Sequence, residues 1–194
     1  MAMAVVRDGV PDRVTLGVAV AIPEPYASEL QRRRAAFGDP QARSIPTHVT
    51  LLPPTQVARA DLAAVHEHLR AAARPHRPFR MTLRGTGSFR PVSQVVFVQV
   101  AEGIAECELI ERQVRAGLLA RELAFYYHPH VTVAHDVPEQ DLDRAARTLA
   151  DFEASFDVDS FSAYRHGHDG VWRVDEVYSL TGTRPPEAAE TLPR

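Results

Sequence analysis

The sequence has few of the features that mark disulfide-rich or membrane-spanning proteins. Among its 194 residues it has one cysteine, Cys107, so no intramolecular disulfide can form, and nothing in the sequence resembles a thiolate zinc site. Cys107 lies within a helical pattern, which favours a small buried apolar residue over a nucleophile. No apolar run reaches the ~18–20 residues that a helix needs to cross a bilayer.

A large net charge is also absent. The chain carries 22 basic and 25 acidic residues, and its formal net charge is −3. Tight non-specific binding to long nucleic acid is therefore not indicated, because it requires an extended basic surface. A small phosphate-bearing ligand stays open, since a local pocket needs only a few positive groups.

The amino-terminal residues do not follow the order of a signal peptide. The apolar stretch Val14–Ile22 is preceded by acidic residues and Pro11. Its high valine content is typical of a buried strand. We therefore expect a cytoplasmic protein, with a flexible leader over 1–12 and a disordered tail over 183–194.

The length and composition predict one domain over residues 13–182. This domain divides into strands, where apolar residues alternate, and helices, where they recur with helical periodicity. Glycine and proline residues mark the ends of these elements. The predicted strands are 14–22, 48–52, 79–86, 94–100, 130–133, 156–165 and 171–181, and the predicted helices are 24–37, 61–73, 104–123 and 138–150.

Three local expectations accompany these elements. Pro53-Pro54 should end the second strand, because proline cannot donate to a strand ladder. Leu118 should face the core as part of the long helix 104–123. The run Arg32-Arg33-Arg34 should lie on a solvated helix face.

The order strand, helix, strand, helix, strand occurs twice along the chain. It covers residues 13–88 and again 92–182, with one additional strand at the end of the second half. Duplicated units commonly assemble about an approximate two-fold axis. The second strand of each half should therefore face a shared cleft.

These two second strands carry the same motif of His, apolar, Thr, apolar. It is His48-Val49-Thr50-Leu51 in the first half and His130-Val131-Thr132-Val133 in the second. Because strand side chains alternate, each histidine shares a face with its threonine. A single His-x-Thr would more often be structural, but two in equivalent places favour a functional pair.

Two histidines and two hydroxyls suit phosphodiester chemistry without a metal. Histidine titrates near neutrality, so one ring can accept a proton while the other donates one. Thr50 and Thr132 can donate hydrogen bonds to non-bridging phosphate oxygens. We predict His48 and His130 as general acid and base, in an order that the sequence does not assign.

The paired motifs resemble those of the 2H phosphoesterase superfamily, also called the LigT-like or 2′-5′ RNA ligase-like family. The resemblance covers roughly residues 13–182. It implies an α+β fold in which a duplicated β-α-β-α-β unit forms a bilobal, mainly antiparallel sheet, with helices outside and a central cleft. It also implies a cyclic phosphodiesterase that needs no cofactor and acts on a 2′,3′-cyclic phosphate or 2′-5′ linkage. The partner would be a nucleotide or short RNA end, and a monomer is expected.

One position departs from the pattern of this family. Many members have an arginine shortly after the second motif, where this chain has His135. Histidine can donate to a phosphate, but it lacks a permanent charge and the bidentate fork of arginine. Arg43, Arg90 and Arg165 are candidates to supply the missing cation, with Arg43 in the loop before His48 assigned to substrate binding.

Aromatic residues near the motifs are candidates to stack on a base. Tyr127, in the run Phe125-Tyr126-Tyr127, is assigned to substrate binding, although core packing accounts for at least one residue of this run. Tyr164 and Trp172 flank the last hairpin, where stacking and packing at the sheet edge are equally open.

Three other functions stay open at this stage. RNA ligation is the reverse of the same chemistry and uses the same acid and base. A phosphate-binding module would keep the pocket without turnover, and His135 in place of arginine keeps this alternative open. A metal hydrolase built on His128 and His130 ranks low, because no carboxylate has the helical spacing of a metal motif.

Overall fold

The computed structural model describes residues 12–183, so the predictions for residues 1–11 and 184–194 lie outside the described part. The strands are β1 (Arg13–Ala21), β2 (His48–Ala58), β3 (Phe79–Ser88), β4 (Val95–Glu102), β5 (His130–His135), β6 (Glu153–Val158), β7 (Ser160–His166) and β8 (Trp172–Ser179). The helices are α1 (Tyr26–Ala36), α2 (Leu62–Ala73), α3 (Ile104–Val114) and α4 (Glu139–Thr148). None of these helices is long and apolar enough to span a membrane.

The strands form two four-stranded sheets, and all of their pairings are antiparallel. The strand order is β2-β1-β7-β8 in the first sheet and β5-β4-β3-β6 in the second. The two motif strands, β2 and β5, are edge strands, and they contact each other. The predicted α+β, mainly antiparallel fold is confirmed, and its two lobes meet at the motif strands.

The two sheets do not coincide with the two halves of the sequence. Strand β3, from residues 13–88, pairs with β4 and β6 in the second sheet. Strands β7 and β8, from residues 92–182, belong to the first sheet, where β7 pairs with β1. Each lobe therefore contains strands from both halves, which ties the lobes together.

The single strand predicted over 156–165 is wrong, because the chain changes sheets at Asp159. Phe156 and Val158 face the core before this point, and Phe161 and Ala163 face it afterwards. Side chains in a strand alternate with a period of two, so these two pairs cannot share a face of one straight strand. The shift in alternation was a signal for the break at Asp159.

Strand β2 continues through Pro53-Pro54, so the prediction that it ends there is also wrong. Leu16 of β1 pairs with Thr55, whereas Val18, two residues further, pairs with Leu52, three residues back along β2. The prolines therefore lie in a β-bulge at the sheet edge. Their missing N–H groups are tolerated there, because β2 has a partner strand on one side only.

The helix predicted over 104–123 is shorter in the structure, where α3 ends at Val114. Gly117 begins a 3₁₀ turn with a φ of 55°, a left-handed conformation that does not continue an α-helix. The prediction that Leu118 faces the core is therefore wrong, since its side chain is 60% exposed.

The apolar faces of both motif strands lie in the core. The apolar motif residues are all at most 1% exposed: Val49, Leu51, Val131 and Val133. Fully buried side chains from the helices belong to the same core, among them Leu69, Ile110 and Leu142. This burial turns the histidine and threonine of each motif to the opposite face, as alternation predicts.

Leu69→Ala is expected to lower the free energy of unfolding by about 2–5 kcal/mol, because it leaves a cavity at a fully buried site. The matched control Leu118→Ala should change it by less than about 0.5 kcal/mol. Urea unfolding followed by circular dichroism measures both values. Equal losses in the two variants would contradict the exposed position of Leu118.

Candidate active site

The two motif histidines are held in the same way. His48 Nδ1 lies 2.6 Å from the carbonyl oxygen of Pro46, and His130 Nδ1 lies 2.7 Å from the carbonyl oxygen of His128. A carbonyl oxygen can only accept, so Nδ1 carries the proton in both rings. In each neutral ring Nε2 is then the basic nitrogen that is free for proton transfer.

The threonine of the first motif lies against this basic nitrogen. Thr50 Oγ1 is 3.1 Å from His48 Nε2, so the hydroxyl donates a hydrogen bond to the neutral ring. A single small group could therefore contact both the hydroxyl and the imidazole. The predicted pairing of histidine with threonine on one strand face is present in β2.

A cavity of about 290 Å³ lies between the two sheets. His48 and Thr50 line it from β2, and Thr132 and His135 line it from β5. His130 does not line this cavity; its ring packs against Phe89, with ring centroids 4.9 Å apart. Three of the four predicted polar motif residues therefore share the cavity wall, together with His135.

Burial shifts the pKa of both histidines in the same direction. Burial lowers the pKa of His48, and the Arg34 guanidinium lowers it further, against the bond to Pro46. Burial also lowers the pKa of His130, with contributions in the same direction from His128 and His48. Because His48 acts on the pKa of His130, a charge on one ring disfavours a charge on the other.

The predicted solvated face of Arg32-Arg33-Arg34 is wrong for Arg34. Arg34 is 3% exposed, lines the cavity and pairs with Asp39, with Nε 2.7 Å from Oδ2. Successive helix residues point about 100° apart, so three in a row cannot all share one solvated face. This geometry was the signal that the sequence interpretation missed.

The arginines proposed from the sequence lie away from the cavity wall. Arg43 is exposed, Arg90 donates to Asp143 at 2.8 Å, and Arg165 Nη2 donates to an aspartate at 2.8 Å. None of the three lines the cavity. The cations in its wall are instead Arg34 and, when it is protonated, His135.

Tyr127 contacts the first motif through its hydroxyl. The hydroxyl donates to the carbonyl oxygen of Thr50 at 2.9 Å, and the ring packs against the core. Burial raises the pKa of the Tyr127 phenol, so the hydroxyl remains a donor. Tyr127 does not line the cavity, and its contact positions strand β2 from the other lobe instead of contributing a stacking surface there.

The aromatic wall of the cavity comes from the last hairpin. Trp172 and Tyr164 both line it. Gly17 of β1 lies under the indole, and a Cβ atom at Gly17 would come within 3.2 Å of the Trp172 ring. The glycine thus allows the indole to lie close against the strand.

The geometry supports neither a metal site at His128 and His130 nor a nucleophilic Cys107. His128 stacks on His130 with ring centroids 6.3 Å apart, but no group of three or more metal-ligand side chains occurs within residues 12–183. Cys107 is fully buried, as expected, and burial raises the pKa of its thiol to about 12.

Tyr127→Phe should lower the free energy of unfolding by about 0.5–1.5 kcal/mol, because it removes the hydrogen bond to Thr50. The control Tyr126→Phe should have no measurable effect, since Tyr126 is fully exposed. Chemical denaturation measures the difference between the two variants. An unchanged stability in Tyr127→Phe would show that the contact between the lobes contributes nothing.

Comparison with known proteins agrees with this fold. A Bacillus licheniformis protein provisionally named a phosphoesterase is 28% identical over 144 residues, which cover 73% of this chain and 85% of that protein. Among solved structures, TT0787 of Thermus thermophilus is 25% identical with a TM-score of 0.59, and the match covers 88% of this chain and all of TT0787.

The fold also matches E. coli LigT, solved in complex with 3′-AMP. The TM-score is 0.63 at 19% identity, and the match covers 87% of this chain and 99% of LigT. A sequence model of the 2′-5′ RNA ligase superfamily matches residues 22–170, which include both motifs. The chain therefore belongs to the 2′-5′ RNA ligase superfamily.

Proposed function

We propose that this protein is a metal-independent phosphoesterase in which His48 and His130 act as general acid and base. Its substrate is a nucleotide or short RNA end with a 2′,3′-cyclic phosphate or a 2′-5′ phosphodiester. The observation that carries this proposal is the equivalent setting of the two rings. Each ring donates from Nδ1 to a backbone carbonyl and keeps Nε2 unprotonated when neutral, on two edge strands that contact each other.

The opening of a cyclic phosphate needs two proton transfers on opposite sides of the phosphorus. Nε2 of one histidine takes a proton from water as the water oxygen forms a bond to phosphorus. The bond to the leaving ribose oxygen breaks, and the protonated Nε2 of the other histidine gives that oxygen its proton. Each transfer is typically worth ~10²–10⁴-fold in rate. The product is a phosphomonoester, and proton exchange with solvent restores both rings.

The threonines and the aromatic wall would hold this substrate. In the free protein the Thr50 hydroxyl donates to His48, and rotation would direct it to a non-bridging oxygen once the ring is protonated. Thr132 is available from the other side of the cavity. Trp172 and Tyr164 offer flat apolar surface for a base. A nucleotide ligand is consistent with the 3′-AMP complex of the structural neighbour LigT.

His48→Ala and His130→Ala should each lower kcat for a 2′,3′-cyclic nucleotide by on the order of 100-fold or more, because each removes one proton transfer. Both variants are assayed beside the wild type in excess chelator. Equal turnover by all three proteins would rule out acid-base catalysis by this pair. His128→Ala is the matched control and should retain activity. Loss of activity in this control and on chelation would favour a metal hydrolase.

The profile of kcat/KM against pH should be bell-shaped with its maximum below pH 6.5. The active form has one ring protonated and one neutral, so the maximum lies between the two pKa values of the pair. Burial lowers both pKa values from the ordinary value of 6.5. Rates with a cyclic nucleotide between pH 4.5 and 8.5 define the profile. A maximum above pH 7.5 would contradict this assignment.

A further inference from the structure

Arg34 is a charged side chain buried in the wall of the active-site cavity. Its side chain is 4% exposed and that of its partner Asp39 is fully buried, with 2.7 Å between Nε and Oδ2. The burial of two charges is costly even when they are paired, and an apolar pair of similar size is often no less stable. This cost, placed at a cavity, indicates a use for the charge of Arg34.

The ion pair is held rigidly by the backbone. Asp39 caps the 3₁₀ turn Pro40–Arg43, and its second carboxylate oxygen accepts the backbone N–H of Gln41 at 2.8 Å. The turn therefore orients the carboxylate, and the carboxylate orients the guanidinium. A donor that is fixed before the substrate arrives needs no reorganisation during the reaction.

The terminal N–H groups of Arg34 are left for a ligand. Within residues 12–183 the hydrogen bond of this side chain is the one from Nε to Asp39. Among the described residues, the fully buried side-chain atoms that lack a hydrogen-bond partner are His76 Nε2 and Arg165 Nε. The two Nη atoms of Arg34 are not among them. The Nη atoms therefore retain access to solvent. Because Arg34 lines the cavity, this solvent is the solvent that fills the cavity.

Arg34 also acts on the first motif histidine. The guanidinium lowers the pKa of His48, so its charge is felt at the ring. Two further ionisable groups near this ring come from β5, where His130 couples to it and His135 lines the same cavity. Tyr164 lines this cavity from the last hairpin. A phosphate that reacts at His48 would lie within the field of Arg34.

We propose that Arg34, oriented by Asp39, is the fixed anion-binding residue of this cavity and donates through its Nη groups to non-bridging oxygens of the reacting phosphate. This inference rests on the proposed function and deepens it, because it selects a phosphate as the group held beside His48. It assigns to Arg34 the role for which Arg43, Arg90 and Arg165 were candidates. His135 contributes a further donor from the opposite strand when it is protonated.

The test compares Arg34→Gln with Arg33→Gln on the same helix. Arg33 is a suitable control because its side chain is 41% exposed and pairs with Glu29. Arg34→Gln should lower kcat/KM for a 2′,3′-cyclic nucleotide by on the order of 100-fold, as the loss of one oxyanion donor does. It should also weaken inhibition by inorganic phosphate. Arg33→Gln should stay within about twofold of the wild type.

A pH profile separates this role from a purely structural one. The positive charge of Arg34 lowers the pKa of His48. Removal of this charge should therefore shift to higher pH the limb of the kcat/KM pH profile that reports the titration of His48. Arg34→Lys keeps the charge but loses the planar fork, so it should leave this limb in place and still weaken phosphate binding. Phosphate affinity unchanged in both variants would overturn the inference.

Two outcomes distinguish this inference from the proposed function. An Arg34→Gln variant as active as the wild type would overturn the role of Arg34 and leave the phosphoesterase assignment intact. If the wild type has no activity, calorimetric titration with inorganic phosphate decides the question. Binding that is lost in Arg34→Gln and kept in Arg33→Gln supports the anion site, and equal binding overturns it. Should Arg34→Gln fail to fold, Arg34→Lys serves in the same titration.

Discussion

The alternation of side chains along two edge strands is the constraint on which this site depends. Val49 and Val131 are fully buried, and their burial fixes the orientation of each motif strand. A rotation of either strand that reversed its two faces would expose these apolar side chains to water. The hydrophobic core of each lobe therefore sets the face on which His48 and His130 lie, and the strands β2 and β5 that carry them contact each other.

Burial also affects the protonation of the two motif histidines. A buried imidazole is disfavoured in its charged form, and two neighbouring rings disfavour double protonation further. The Nδ1 bonds to backbone carbonyls leave both neutral rings in the same tautomer. Arg34 adds a guanidinium to the cavity wall, and Asp39 pairs with it at 2.7 Å. The cavity wall thus combines the imidazole of His48 with the guanidinium of Arg34.

The exchange of strands between the lobes explains how the two motifs hold their relative position. Strand β3 crosses into the second sheet, and the chain returns to the first sheet at Asp159. The Tyr127 hydroxyl adds a contact from the second lobe to the backbone of Thr50, inside the first motif. Arg144 of α4 donates to the carbonyl oxygen of Ala36 at the end of α1. These connections give the cleft a defined width without a separate linker.

Local physical chemistry made much of this protein predictable from its sequence. Period-two alternation located the motif strands and directed His48 and Thr50 to one face, and the duplicated order of elements indicated two lobes. Features that depend on contacts between residues distant in the sequence could not be predicted. The bulge at Pro53-Pro54 is tolerated because β2 is an edge strand, and edge position is a property of the assembled sheet. Likewise, only tertiary packing decided that Arg34 lies in the cavity, because burial of a charge depends on the carboxylate and sheet that surround it.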